Sequence, residues 1–423
     1  MKILVIGGGG REHAAAEAFS KSKNCSKVFI LPGNAGTEKI GENILGDVND
    51  FILIKNIVVS NQISVVFVGP EDPIVNGIYD FFKEDKLLKD VLIIAPGKNA
   101  ARLEGSKDFA KVFMNKNKIP TAKHSTFSKS NISEAYLFLE ALNPPYVLKA
   151  DGLAAGKGVL IIENLNEAKK ELDNMLLNNK FGKASEKVVI EEFLDGIELS
   201  CFVLTNGKDY KLLPFAKDYK KIGEADSGLN TGGMGAVSPV PFIDDEFKTK
   251  IEDKVIKPTI KGIQDEGMNY VGFIFIGLIK VKGEPYVIEY NVRMGDPETE
   301  VVFPRIKSDI LELFLALESE AFPLFDLEID PRFASTVILV SGGYPLDYKK
   351  NIPILGLNDI NRSLVFHSGT KTQENKILTN GGRVLAITSF GETINTATKK
   401  CYEDIKRVSF EGMYFRKDIG FDL

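Results

Sequence analysis

The first hundred residues leave little freedom of fold, because short apolar runs alternate with helix-forming stretches. Runs at 2–6, 27–31, 64–68 and 91–95 read as buried strands, and 11–21, 47–60 and 74–85 read as helices. Strands separated by helical crossovers predict a doubly wound α/β unit with a parallel sheet. In such sheets ligands sit at the carboxyl ends of strands. Those ends here carry Gly7-Gly8-Gly9-Gly10-Arg11, Pro32-Gly33-Asn34-Ala35-Gly36-Thr37 and Gly69-Pro70-Glu71-Asp72.

A chain of 423 residues is too long for one core, and roughly 100 to 200 residues per domain predicts about three. Past Lys107 the texture changes. Strands at 145–150, 158–163, 187–193 and 197–205 with a helix near 166–178 predict an antiparallel α+β lid. Two long strands, 271–281 and 284–292, are broken by Lys282-Gly283, and a helix near 307–319 follows. From about 328, strands at 333–341, 363–367 and 382–390 and a helix near 393–408 form a last unit. The expected division is 1–104, 105–327 with a flap at about 123–192, and 328–423.

A net charge of -5 and a pI near 5.6 provide no broad basic field for nucleic acid or a membrane surface. Cys25, Cys201 and Cys401 lie far apart without a CxxC pair, which predicts neither a zinc knuckle nor a disulfide framework. The opening run Ile3–Ile6 is too short for a signal segment or a membrane span. A soluble, cytoplasmic protein acting on small molecules is expected.

The glycine cluster does not complete a dinucleotide fingerprint: counting G-x-G-x-x-G from Gly7, the sixth position is Glu12, and the second strand ends without an acid for an adenosine ribose. What remains is a glycine loop at a helix start beside Arg11, suited to a single phosphate. The segment Lys149–Gly158 nearly matches a P-loop but has three residues between its glycines, and Gly158 stands where Ser or Thr would bind metal. It leads into the strand Val159–Ile162, so it reads as a hairpin tip able to cover phosphates. Lys149 interrupts the apolar strand Tyr146-Val147-Leu148, and an inward ammonium there requires an anion. Adjacent Glu191 and Glu192 point to opposite faces of their strand, and Glu198 is placed to bond a ribose diol.

The strongest pattern is Glu289-Tyr290-Asn291-Val292-Arg293. Alternation puts 289, 291 and 293 on one face, and a carboxylate with an amide oxygen suits Mg²⁺ whose shell is completed by phosphates and water. Such a row in an apolar strand is costly unless it binds something. The polar, glycine-dense loops 226–235 and 294–299 read as substrate-wrapping.

Taken in order, the segments Gly-Gly-Arg-Glu-His (9–13), Pro-Gly-Asn-Ala-Gly-Thr (32–37), Leu-Glu-Gly-Ser-Lys (103–107), Lys-Ala-Asp-Gly-Leu-Ala-Ala-Gly-Lys-Gly (149–158), Asn-Thr-Gly-Gly-Met-Gly (230–235), Gly-Asp-Pro-Glu-Thr (295–299) and Asn-Gly-Gly-Arg-Val-Leu (380–385) form a collinear set. By that set the chain resembles the glycinamide ribonucleotide synthetases of the ATP-grasp superfamily from residue 1 to about 420. The resemblance implies joining of glycine to 5-phosphoribosylamine, with ATP converted to ADP and phosphate through a glycyl phosphate, by a monomer or weak oligomer. Lys107, Lys149 and Lys220 would neutralise ATP phosphates under a flap carrying Gly156, Lys157 and Gly158. Glu191 and the Leu194 backbone would read adenine and Glu198 the ribose, with Glu192 also among the ATP-binding residues. Glu289 and Asn291 would hold Mg²⁺, with Mn²⁺ as an alternative, and Arg293 would orient the glycine carboxylate with Asp296 nearby; Arg293, Lys149 and Asp296 are the expected catalytic residues. The phosphoribosyl group would meet Gly9, Gly10, Arg11, Asn34, Gly36 and Thr37, with Glu71 or Asp72 on its hydroxyls, while Asp226, Thr231, Gly232, Gly233, Met234 and Gly235 wrap the substrate. The chain departs from the family pattern at Gly8, Lys217, Tyr219, Lys221 and Glu300, and 271–279 contains no acid to hold a second metal. A dehydrogenase, a non-catalytic nucleotide-binding module and a ligase for bicarbonate or formate are the rival readings.

Overall fold

The computed structural model describes residues 1–154 and 158–423, so the flap residues Gly156 and Lys157 lie outside the described residues. The N-terminal sheet is parallel throughout, in the order Glu42–Asn43, Lys27–Pro32, Lys2–Gly7, Val65–Val68, Leu92–Ile94. Its first strand is apolar without alternation because both faces are covered. Leu4 and Ile6 enter one core, Ile3 and Val5 another, and all four are fully buried. Strand order reverses beside the first strand, which opens a crevice between the Gly7–Gly10 turn and Gly69–Asp72.

Two antiparallel sheets follow. The lid sheet runs His124–Ser128, Lys187–Glu192, Tyr146–Ala150, Val159–Ile162, and the helices Ile132–Glu140 and Leu165–Leu176 supply its separate core through Leu139, Leu172 and Met175. The larger sheet runs Tyr210–Leu212, Ile197–Thr205, Gly272–Val281, Glu284–Asn291. Residues 193–196 are the short link between the two. A bulge interrupts the last pair: Gly277 faces Glu289 while Leu278 faces Val287, leaving Ile288 as the extra residue. The bulge lets Val287, Tyr290 and Val292 all enter the apolar core and leaves Glu289 and Asn291 on the opposite face.

The last sheet, Lys217–Asp218, Gly235–Ser238, Phe333–Val340, Arg383–Gly391, Leu364–His367, takes two strands from the middle of the chain and crosses the division drawn at 328. The helix Ile394–Ile405 covers it with Ile394, Cys401 and Ile405. The segment expected as one loop, 226–235, is largely a hairpin of Lys221–Gly223 with Ser227–Asn230, followed by a turn into the Gly235 strand.

The C-terminal tail clamps this hairpin. Arg416 is fully buried; it bonds Asp418 through Nε and a terminal nitrogen at 2.8 and 2.9 Å, and its other terminal nitrogen reaches Asp226 at 2.6 Å and the Lys221 carbonyl at 3.2 Å. Asp422 accepts from the Tyr219 hydroxyl at 2.8 Å and pairs with Lys217 at 2.9 Å, so two departures from the family pattern share one partner. Replacing Arg416 by Met takes the guanidinium from both Asp226 and Asp418 and leaves Asp418 with the Ala225 amide. Denaturant titration is expected to show a loss of about 2–3 kcal/mol in unfolding free energy.

Candidate active site

The cleft between the lid and the larger sheet is lined by paired charges. Lys149, 4% exposed, lies 3.0 Å from Glu191 and donates to the Ile288 carbonyl at 3.3 Å. Lys111, which the sequence did not single out, sits 3.1 Å from the other Glu191 oxygen and donates to Thr121 Oγ1 at 2.7 Å. Burial pushes the Lys111 ammonium down to about 8 against the pull of Glu191. Burial alone would raise the Glu191 carboxyl, but Lys149 and Lys111 hold it below its ordinary range. The expected adenine role for Glu191 is therefore corrected: its carboxylate is enclosed between two lysines and holds them. Glu192 is corrected too, because its side chain turns to the other face and accepts from the Lys123 amide at 2.8 Å. Leu194 lies half-buried in the link between the sheets.

Lys107 starts the helix Lys107–Lys116 and reaches the Gly152 carbonyl at 3.4 Å; burial lowers its pKa while nearby Glu289 opposes the shift. Lys220 pairs with Glu198 at 2.8 Å at the cleft mouth, and Glu289 also acts on it. Gly158 closes the base of the flap hairpin by accepting from the Ala150 amide at 2.8 Å.

Glu289 thus acts electrostatically on Lys107 and Lys220 from the strand Glu284–Asn291, which also carries Asn291, while Arg293 lies two residues past the strand's end. Asn291 Oδ1 accepts from Arg293 at 3.2 Å, and its buried Nδ2 has no partner among the described residues. Among the described residues no group of three or more His, Cys, Asp or Glu side chains could hold a metal. The Glu289-Asn291 donor pair fits a hard divalent ion that takes the rest of its shell from phosphate and water. Arg293 is held on two sides, by Glu71 at 3.3 Å and Glu104 at 2.8 Å, and donates to the Met294 carbonyl at 3.3 Å. Burial raises the Glu71 carboxyl, but Arg293 and Arg11 bring it below its ordinary value. Asp72, beside it, is exposed.

Several residues expected on substrate face inward. Arg11 is 7% exposed and bonds Glu12 at 2.6 Å and the Met294 carbonyl at 3.1 Å. The Gly9 amide is already taken by Glu12 at 2.7 Å, which closes the start of the helix Gly10–Ser20 to an outside phosphate at that amide. Glu12 fills the space that glycines leave, since a Cβ on Gly69 would lie 1.9 Å from its carboxylate. Asn34 has no capacity left for a ligand: Nδ2 donates to the Gly8 and His367 carbonyls at 3.0 and 2.7 Å, and Oδ1 accepts from the Gly36 and Thr37 amides at 2.8 and 3.1 Å. Thr37 is fully buried, and a Cβ on Gly36 would meet His13 at 2.2 Å. Asn34, Gly36 and Thr37 therefore join the parallel sheet to the last sheet and do not line the cleft.

On the opposite side, Asp296 pairs with Arg383 at 3.0 Å, and Arg383 also donates to the Asp296 and Gly232 carbonyls at 2.7 and 2.6 Å. Thr231 donates to the Lys220 carbonyl and accepts from the Gly233 amide. Gly233 adopts φ 119°, and a Cβ there would lie 2.4 Å from Pro297, so this turn is built for glycine. Of the remaining loop residues, Met234 is buried in a core, Gly235 is in the sheet, and Asp226 is held by Arg416. These three support the loop from behind. Arg383 and Glu104 were visible only as members of longer motifs.

Glu300 is fully buried beside Gly10, and neither carboxyl oxygen has a partner among the described residues. Burial first and the Asp296 charge second push its pKa well up; Arg383 opposes and Glu298 adds to the rise. A carboxyl whose folded pKa exceeds its unfolded value stabilises fully below the unfolded value, about 4.3, and loses that contribution as pH rises toward the folded pKa. Glu300→Gln is expected to remove this loss. Thermal unfolding between pH 5 and 8 should show the variant gaining on the parent as pH rises, whereas a constant difference contradicts the assignment.

Three family models cover the chain: the phosphoribosylglycinamide synthetase N domain over residues 1–104, the ATP-grasp (A) domain over 105–299 and the C domain over 334–422. A phosphoribosylamine-glycine ligase of Caldanaerobacter subterraneus subsp. tengcongensis is 42% identical over 420 residues, covering 99% of each chain. One from Haemophilus influenzae is 43% identical over 426 residues, covering 100% of this chain and 98% of that one. The crystal structure of the phosphoribosylamine-glycine ligase from Thermotoga maritima matches with a TM-score of 0.86 at 35% identity, over 99% of this chain and 100% of that one. The chain belongs to the phosphoribosylglycinamide synthetase family.

Proposed function

We propose that the chain is an ATP-dependent ligase that joins glycine to 5-phosphoribosylamine, giving glycinamide ribonucleotide, ADP and phosphate in purine synthesis. The observation that carries this reading is the strand end with Glu289 and Asn291, Arg293 just beyond it bonded to Asn291, and Lys149 tied to the Ile288 carbonyl of the same strand, in a chain matched end to end by that family.

ATP phosphates enter between Lys107, Lys149 and Lys220. Lys149 keeps its buried tie to Glu191, whereas Lys220 exchanges the exposed Glu198 for phosphate, freeing Glu198 for the ribose. Adenine lies against the 193–196 link. Glu289 and Asn291 would hold Mg²⁺ or Mn²⁺, which would supply positive charge against the phosphates. Arg293 fixes the glycine carboxylate, converting its encounter with ATP into an oriented, effectively unimolecular step. A carboxylate oxygen attacks the γ-phosphorus and ADP leaves. The amine of phosphoribosylamine then attacks the carbonyl carbon of glycyl phosphate, and phosphate leaves with the bonding pair. No Ser or Cys nucleophile is required; closure against water protects the acyl phosphate.

The sugar hydroxyls face Glu71 and Asp72, and the outer side of the Gly9–Gly10 turn and the Thr231–Gly233 turn bound the same space, with Arg383 and Asp296 tying the two together. The reaction uses small molecules in the cytoplasm, by a monomer or weak oligomer; among the described residues no helix is long and apolar enough to cross a membrane.

Release of ADP should require glycine and phosphoribosylamine together. Rapid turnover with formate or bicarbonate and none with glycine contradicts the substrate assignment. Glu289→Ala is expected to lower kcat by roughly a thousandfold with an unchanged far-ultraviolet circular dichroism spectrum; near-parental kcat would remove Glu289 from the metal site.

A further inference from the structure

Arg293 lies between two carboxylates of different character. Glu71, at the start of the helix Glu71–Val75, has a side chain 30% exposed and touches Nε at 3.3 Å. Glu104, near the end of the helix Lys98–Gly105 that leads from the parallel sheet into the lid domain, has a side chain 5% exposed and lies 2.8 Å from a terminal guanidinium nitrogen. The second Glu104 oxygen accepts from the Val292 amide at 2.8 Å. Both oxygens are therefore committed to the end of one strand, on consecutive residues. The nitrogen that Glu104 holds is also the one that donates to Asn291 Oδ1 at 3.2 Å.

We propose that Glu104 is a positioning residue for glycine: it is the permanent anchor of Arg293, while the exposed Glu71 is the arm that gives way to the substrate carboxylate. This rests on the reading of Arg293 as the glycine-binding group. A guanidinium offers fixed donor directions, so anchoring one edge determines where the other edge points. A buried, short, charge-assisted contact with a second bond to the backbone holds its place when substrate arrives. A longer contact to a partly hydrated carboxylate exchanges readily, because water stabilises the released acid. The anchor also fixes the face on which Asn291 presents its oxygen, so one buried acid from the linker orients both the arginine and its neighbouring amide.

The test is a double-mutant cycle of Glu104→Gln with Arg293→Lys in the full chain, reading KM for glycine, KM for ATP and thermal unfolding. The amide is isosteric but neutral, and it sets its NH₂ against one of the two donors, the guanidinium or the Val292 amide. Glu104→Gln is expected to raise the glycine KM roughly tenfold and to move the ATP KM by less than about twofold. In the Arg293→Lys background it should have no further effect on the glycine KM, since the group it positions is gone. If its effect persists there undiminished, Glu104 acts on the fold and the proposal falls. It also falls if Glu104→Gln leaves the glycine KM unchanged while Arg293→Lys raises it. If Arg293→Lys itself leaves the glycine KM unchanged, the reading of Arg293 fails, and the inference with it. Should Glu104→Gln not accumulate as folded protein, Glu104→Asp, which is too short to hold both partners, enters the same cycle with the same criteria.

Discussion

An ammonium ion in an apolar sheet must be paired, and the cleft is organised around that requirement. Lys149 and Lys111 enter the lid side from different elements and share Glu191, which all but removes three charges from water and leaves one net positive charge facing the cleft. That residual charge is what a polyphosphate needs. Across the cleft the same logic runs with the signs reversed, since Glu71 and Glu104 place two negative charges on Arg293. The site is held open and nearly neutral by its own side chains, so substrates exchange for the exposed partners while the buried ones keep the geometry.

The parallel sheet contributes less by direct contact than its loops suggest. Glu12 fills the space left by Gly7 and Gly69 and takes the Gly9 amide, while Asn34 joins the carbonyls of Gly8 and His367. These bonds fix the loop ends against the last sheet. They also leave Glu71 and the outer side of the Gly9–Gly10 turn as the surfaces that still face the cleft.

The parallel sheet was legible because a strand buried on both faces must be apolar at every position, as Ile3–Ile6 is. Lys149 was legible as a charge in need of a partner, and Glu191 lies on the neighbouring strand. Asn34, Gly36 and Thr37 were misread because a polar, glycine-rich loop has the same composition whether its bonds go to a ligand or to the chain. What decides between them is His367, more than three hundred residues away. Glu104, Lys111 and Arg383 were passed over for a related reason: each is an ordinary charged residue until the fold sets it against Arg293, Glu191 or Asp296. The bulge at Ile288 had no local signature, since a one-residue shift in the pairing of two strands leaves the composition of each unchanged.

The central claim is that this cleft activates the carboxylate of glycine by phosphoryl transfer. Turnover with glycine carrying ¹⁸O in both carboxylate positions tests it directly by mass analysis of the released phosphate. Passage through glycyl phosphate predicts one labelled oxygen in each phosphate formed, with the other retained in the amide product. Unlabelled phosphate accompanied by full product formation would contradict it.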